Sequence, residues 1–137
     1  MTEPARIEPV WLEADIALAI HERQLAEHGG GIGVRDEGML SSALARPINR
    51  WTYGESDPAA LAASYAFGVA RNHPFVDGNK RTAWVLARLF LALNGHQMIF
   101  APQDAIATVL ALAAGELSEE ELADWFRGHL AGAGDDS

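Results

Sequence analysis

Apolar residues recur along most of the chain at three- and four-residue spacing between short glycine or proline breaks, with almost no strand-like alternation, which predicts an all-α or nearly all-α domain. A first helix is expected from about Ala14 to His28, with Leu18, His21 and Leu25 along one stripe and Gly29, Gly30 and Gly31 ending it. Asp36 is placed to cap a short second helix reaching Arg46, because Pro47 lacks the N–H that a further turn needs. Residues 48–56 then read as a loop or short hairpin. Asp57-Pro58 starts another helix, with Leu61, Tyr65, Gly68, Val69 and Asn72 at helical spacing, and it delivers the chain into His73. After a short loop, Asn79 or Lys80 opens a helix to Asn94, ended by Gly95 and apolar nearly all round apart from Arg88. A helix apolar on every side belongs at the centre of a bundle.

Gln97 to Phe100 is the only plausible strand, four residues at most, expected to pair with an edge elsewhere. Asp104 caps a helix to Ala114 with Gly115 as its stop, and Ser118 with Glu121 makes a capping box for a last helix. Leu122, Trp125, Phe126, His129 and Leu130 supply the buried face of that helix, and Trp11 and Trp84 read as further core. The tail, residues 132–137, is polar and expected to fray. With no repeat, linker or low-complexity block, residues 1–137 read as a single domain of about six or seven helices.

Composition narrows the function. Hydrophobic residues make up 49% of the 137, enough for one real core. The absence of cysteine excludes disulfides, thiolate metal sites and cysteine nucleophiles, and permits a reducing compartment. The acidic start, with Glu3, Glu8, Glu13 and Asp15, does not resemble a signal peptide. The most apolar run, Ala83 to Leu93, contains Arg88 and falls short of the roughly 20 residues that cross a bilayer. These features predict a cytoplasmic protein with no membrane partner. A net charge of −9 repels phosphate backbones, so a nucleic-acid partner is disfavoured.

Against that acidic background, Lys80 and Arg81 stand in the first turn of a helix, where the backbone is already partly positive. Two cations there cost stability unless an anion sits among them, and free N–H groups at the helix start make the place suited to phosphate oxygens. Gly78 allows a sharp turn and close approach to a ligand, Asn79 is a natural N-cap whose amide is also able to bond ligand or loop backbone, and Asp77 offers a hard oxygen to Mg²⁺ beside the phosphates. His73, four residues ahead of Asp77, is placed to accept a proton from an attacking hydroxyl, and Phe75 to bury its ring beneath the loop. Taken singly, each is ordinary turn composition; together they specify a base, a metal ligand, a tight turn and two cations at fixed spacing. His21, between Leu18 and Leu25, reads as a core histidine bonded to backbone, and His28, His96 and His129 as surface or packing residues. No second His or carboxylate grouping beside His73 suggests a zinc hydrolase.

The run HPFVDGNKRTA, residues 73–83, resembles the signature of the Fic/Doc superfamily, in which a histidine and a GN-x-R turn follow one helix and open the next. IHERQLAEHGGGIGVRDEGMLSSALARP, residues 20–47, resembles the N-terminal region of the Doc (death-on-curing) branch, and LALNGHQMIF with AAGELSEEELADW its C-terminal half. The resemblance implies a compact Fic/Doc-like helical bundle with at most a short β-hairpin flap, where Trp51 and Tyr53 either dock a substrate protein or anchor the loop. It implies that His73 is the catalytic base, Asp77 the Mg²⁺ ligand, and Asn79, Lys80 and Arg81 the phosphate-holding turn, with Arg71 matching a basic position before the histidine.

The chain departs from the AMP-transferring branch, whose pattern is GNGRxxR: Lys80 stands for the second glycine and Trp84 for the second arginine. The NKR form resembles the Doc branch, which implies transfer of the γ-phosphate of ATP to a Ser/Thr hydroxyl of a protein, with elongation factor Tu the family's target. AMP transfer to a protein hydroxyl, or a non-catalytic module that blocks translation by docking, are the alternatives. No Ser or Thr begins the [S/T]-x-x-x-E-[G/N] inhibitory helix of many Fic proteins. The resemblance accordingly implies a toxin restrained by a separate antitoxin whose disordered C-terminal segment folds onto it.

Overall fold

Six helices form the structure, a computed structural model that describes residues 6–131. They are α1 (Ala14–His28), α2 (Glu37–Thr52), α3 (Pro58–Asn72), α4 (Asn79–Leu93), α5 (Pro102–Ala113) and α6 (Glu119–Gly128). The expected fraying of residues 132–137 lies outside the described residues. Backbone pairing is confined, among those residues, to two isolated antiparallel bridges, Val34 with Phe75 and Met98 with Leu130. The Gln97–Phe100 segment therefore does pair, with the chain just after α6, but as a single bridge.

The centre of the bundle is α3, where the sequence pattern suggested α4. Every residue from Ala59 to Ala66 is buried, and α3 packs on α2, α4 and α6 at once. Small side chains make this possible: a Cβ added at Gly68 would lie 3.2 Å from the Cβ of Ala43 on α2. Alanines look weakly hydrophobic in sequence, yet their size lets three neighbours close in. The larger side chains of α4 cover only part of its surface, and Leu93 is 49% exposed.

Pro47 does not end α2, which continues to Thr52 with the proline buried inside it. The missing backbone bond is outweighed by contacts that the extra turn makes. Trp51 packs edge-on against Trp11, and Arg50 joins Arg46 in reaching Glu119 at the start of α6. The segment 48–56, expected as a loop or short hairpin, is thus helix as far as Thr52, with Trp51 as an anchor and Tyr53 89% exposed. At α5 the cap is Ala101 followed by Pro102, and Asp104 sits in the first turn instead of capping it. The α6 capping box forms as expected, although the helix stops at Gly128, before His129 and Leu130.

Tyr65 ties the entrance of α1 to this centre. It is fully buried on α3, and its hydroxyl accepts the N–H of Leu12 at 3.0 Å. Burial pushes its phenol from 10.0 up to about 12. The folded state then holds this proton more tightly than the unfolded chain, so the stabilisation is complete below the unfolded value and is lost as pH rises through the folded one. Tyr65→Phe should cost about 1–3 kcal/mol at neutral pH by orphaning the Leu12 N–H. Urea unfolding between pH 10.0 and about 12 should show wild type losing stability more steeply than Tyr65→Phe; parallel losses would contradict this assignment.

Candidate active site

The loop between α3 and α4 begins at His73, which leaves the helix in a left-handed conformation (φ 50°, ψ 57°) and is the one non-glycine residue with positive φ among those described. That conformation costs roughly 1–2 kcal/mol and needs external support. Arg35 supplies it, its Nε donating to the His73 carbonyl at 2.7 Å and a terminal nitrogen to the Asn72 carbonyl at 2.9 Å. A cation here also meets the partial negative charge of the end of α3. Alongside, the N–H groups of Arg35 and Asp36 donate to the Pro74 carbonyl, and that of Val76 to the Gly33 carbonyl. The segment before α2 is thus a rail against which the loop is fixed. The His73 imidazole is left exposed, with no hydrogen bond among the described residues.

Beneath the loop, Phe75 is fully buried and its ring stacks on His21 of α1, centroids 3.9 Å apart and planes 8° from parallel. Asn79 closes the loop by accepting the Phe75 N–H and donating to the Phe75 carbonyl, both at 3.0 Å. The amide thus bonds loop backbone, one of the two roles read for Asn79, and is not the N-cap. Gly78 holds that position at φ 76°, a left-handed turn that glycine adopts without strain, and the Asn79 amide is released to reach back four residues.

Asp77 is exposed but not free to wander. Its Oδ1 accepts the Gly78 N–H at 2.8 Å, its Oδ2 lies 3.4 Å from the Gly31 nitrogen, and its carbonyl accepts from His21 Nε2 at 2.7 Å. A Cβ added at Gly30 would lie 2.8 Å from Asp77 Oδ2, so the second glycine after α1 permits this approach. Among the described residues no three His, Cys, Asp or Glu side chains gather as a metal site. A lone carboxylate suits Mg²⁺, which takes one or two carboxylates and completes its shell with phosphates and water; it does not suit a closed zinc site.

No side chain caps α4 and no acid stands in its first turn. The first backbone bond into it runs from Thr82 N–H to Gly78 carbonyl, leaving the N–H groups of Asn79, Lys80 and Arg81 ahead of it. Lys80 and Arg81 are exposed and enter none of the ion pairs found among the described residues, whereas Arg46, Arg50 and Arg127 all pair with carboxylates. Lys80 borders an open groove of about 510 Å³ with Leu110, Ala111 and Glu116. The Arg71 guanidinium lies over Phe67 at 5.2 Å and faces Gly115 in the turn between α5 and α6. Trp84 belongs to an aromatic cluster with Phe100, Trp125 and Phe126 at centroid distances of 5.6, 5.4 and 5.6 Å, so packing occupies the place of a second arginine.

Chain continuity puts His73, Asp77, Gly78, Asn79, Lys80 and Arg81 on one loop and its following turn, as expected. His21, Gly30, Gly31 and Arg35 were not read as part of the site. The available signal was a run of three glycines where one suffices to stop a helix, which marks backbone that must approach something closely.

A family model described as "Fic/DOC family" matches residues 11–91, a stretch that contains α1, the rail, the loop and most of α4. The chain is similar to "Protein kinase doc" of Escherichia phage P1, 39% identical over 111 residues that cover 80% of this chain and 87% of that protein. It is also similar to "Toxin Doc" of Mycolicibacterium smegmatis (strain ATCC 700084 / mc(2)155), 48% identical over 73 residues, or 51% of this chain and 55% of that protein.

The clamp between Asn79 and Phe75 makes a stability prediction. Asn79→Ala leaves a buried N–H and a buried carbonyl unpaired, at about 1–3 kcal/mol each. Thermal unfolding should show a clearly lower midpoint than wild type, and an unchanged midpoint would mean that the loop does not depend on this clamp.

Proposed function

The chain belongs to the Fic/DOC family, and on that premise we propose that it is a Doc-type toxin moving the γ-phosphate of ATP to a Ser or Thr hydroxyl of a protein. The observation that carries the proposal is the uncapped start of α4, where two cations that enter no ion pair among the described residues share a turn with three N–H groups ahead of the first helical bond, next to Asp77. Two exposed cations at a helix start, in an acidic protein, suit a polyphosphate.

In this reading the His73 imidazole, on its left-handed corner, takes the proton of the attacking hydroxyl as the oxygen–phosphorus bond forms. The bond from the γ-phosphorus to the bridging oxygen breaks, and ADP leaves. Lys80, Arg81 and the N–H groups of the first turn hold phosphate oxygens, and Arg71 adds charge from the end of α3. Asn79 contributes by fixing the loop and through its backbone N–H. Asp77 would hold Mg²⁺, which when bound spreads the phosphate charge. Lys80 and the packed Trp84 fill the positions that AMP transfer uses in the related branch, which favours phosphate transfer.

The target in this proposal is elongation factor Tu, and the restraining partner is an antitoxin with a C-terminal segment that folds on binding. No helix among the described residues is long and apolar enough to cross a membrane, in keeping with action in the cytoplasm.

The test is label transfer to purified elongation factor Tu with Mg²⁺ and either γ- or α-labelled ATP. Label should arrive from the γ position alone, fall about 10²–10⁴-fold in His73→Ala, and fall about 10²–10³-fold in Arg81→Ala. Label from the α position would assign AMP transfer instead. Growth inhibition that survives in His73→Ala without label would point to a binding module.

A further inference from the structure

We propose that His21, on α1 and 56 positions before Asp77, is a positioning residue that sets the direction of the Asp77 carboxylate. Its consequence for phosphate transfer rests on the function proposed above; the positioning itself does not.

One hydrogen bond joins the two residues. The Asp77 carbonyl can only accept, so His21 Nε2, 2.7 Å away, carries the hydrogen. The ring has little freedom to turn, being only 3% exposed and stacked on Phe75, which Asn79 clamps in turn. The direction of its N–H is therefore fixed by packing on α1 and beneath the loop.

The Asp77 carbonyl and the Gly78 N–H belong to the same peptide unit, which is planar. Fixing one end fixes the other. That Gly78 N–H is the 2.8 Å donor to Asp77 Oδ1, so the His21 restraint reaches the carboxylate through a single rigid plane. Gly31, just past the end of α1, approaches the other carboxylate oxygen at 3.4 Å. Both restraints on the one acid of the loop thus come from α1 and the glycines that follow it, outside the 73–83 motif.

The test compares His21→Leu, which removes the donor, with His21→Gln, whose amide nitrogen reaches a comparable position. In the protein without ligand, hydrogen exchange at the Gly78 amide should quicken at least about tenfold in His21→Leu, relative to amides of α3, and return towards wild type in His21→Gln. In the transfer assay, the Mg²⁺ concentration for half-maximal rate should rise about 10–100-fold in His21→Leu and be rescued in His21→Gln. If His21→Leu fails to fold, His21→Asn serves in its place, its amide being too short to reach the Asp77 carbonyl. A Gly78 amide that exchanges as in wild type would overturn the proposal. So would equal losses in the Leu and Gln variants with an unmoved Mg²⁺ requirement. Absence of transfer in wild type would count against the proposed function alone, and the amide measurement would still decide the role of His21.

Discussion

Everything at the candidate site depends on a loop that must be irregular and rigid at once. Helical hydrogen bonding lapses between His73 and Gly78, so each polar group there needs a partner from elsewhere. The chain provides them from three directions: Arg35 and the rail before α2 hold the first half, Asn79 reaches back to Phe75, and His21 holds the carbonyl of Asp77. With the backbone engaged in this way, the side chains of His73 and Asp77 remain exposed while their origins stay fixed. Preorganisation of this kind is what a transfer reaction needs, since a misplaced reacting group costs far more rate than stability.

The rest of the fold supplies stiffness on either side. Helix α3 is packed on three faces by α2, α4 and α6, so its C-terminal end, and with it His73, has a firm base. Asn94 ties the far end of α4 to the N-terminal segment, donating to the Val10 carbonyl and accepting its N–H. The charge distribution follows the same division. Among the described residues Arg46, Arg50 and Arg127 pair with Glu119, Asp57 and Asp124, while Lys80 and Arg81 enter no ion pair.

Much of this was legible in the sequence because helix starts and stops are local. Asp57-Pro58, the Ser118 capping box and the glycines after α1 all act where their residues stand. Local rules failed where tertiary packing outweighed them. Pro47 lies inside α2 because the following turn gains Trp51 against Trp11 and Arg50 against Glu119. The centrality of α3 was hidden because alanine spacing carries little hydrophobic signal. At the site, the reactive residues were readable as one contiguous motif. Their supports were legible only in part: His21 is the core histidine bonded to backbone that its place between Leu18 and Leu25 suggested, but its partner and the role of Arg35 were hidden, because the two lie 56 and 38 positions from the groups they hold and touch backbone.

The central claim is that a fixed loop and the open start of α4 receive the phosphates of a nucleotide beside a metal-bound Asp77. Amide chemical shifts followed by NMR during titration with ATP and Mg²⁺ address it most directly. The account predicts the largest shifts at Asn79, Lys80 and Arg81, with Gly78 responding when Mg²⁺ is added and α3 amides unmoved. Shifts centred elsewhere, or none at the first turn of α4 at saturating nucleotide, would contradict it.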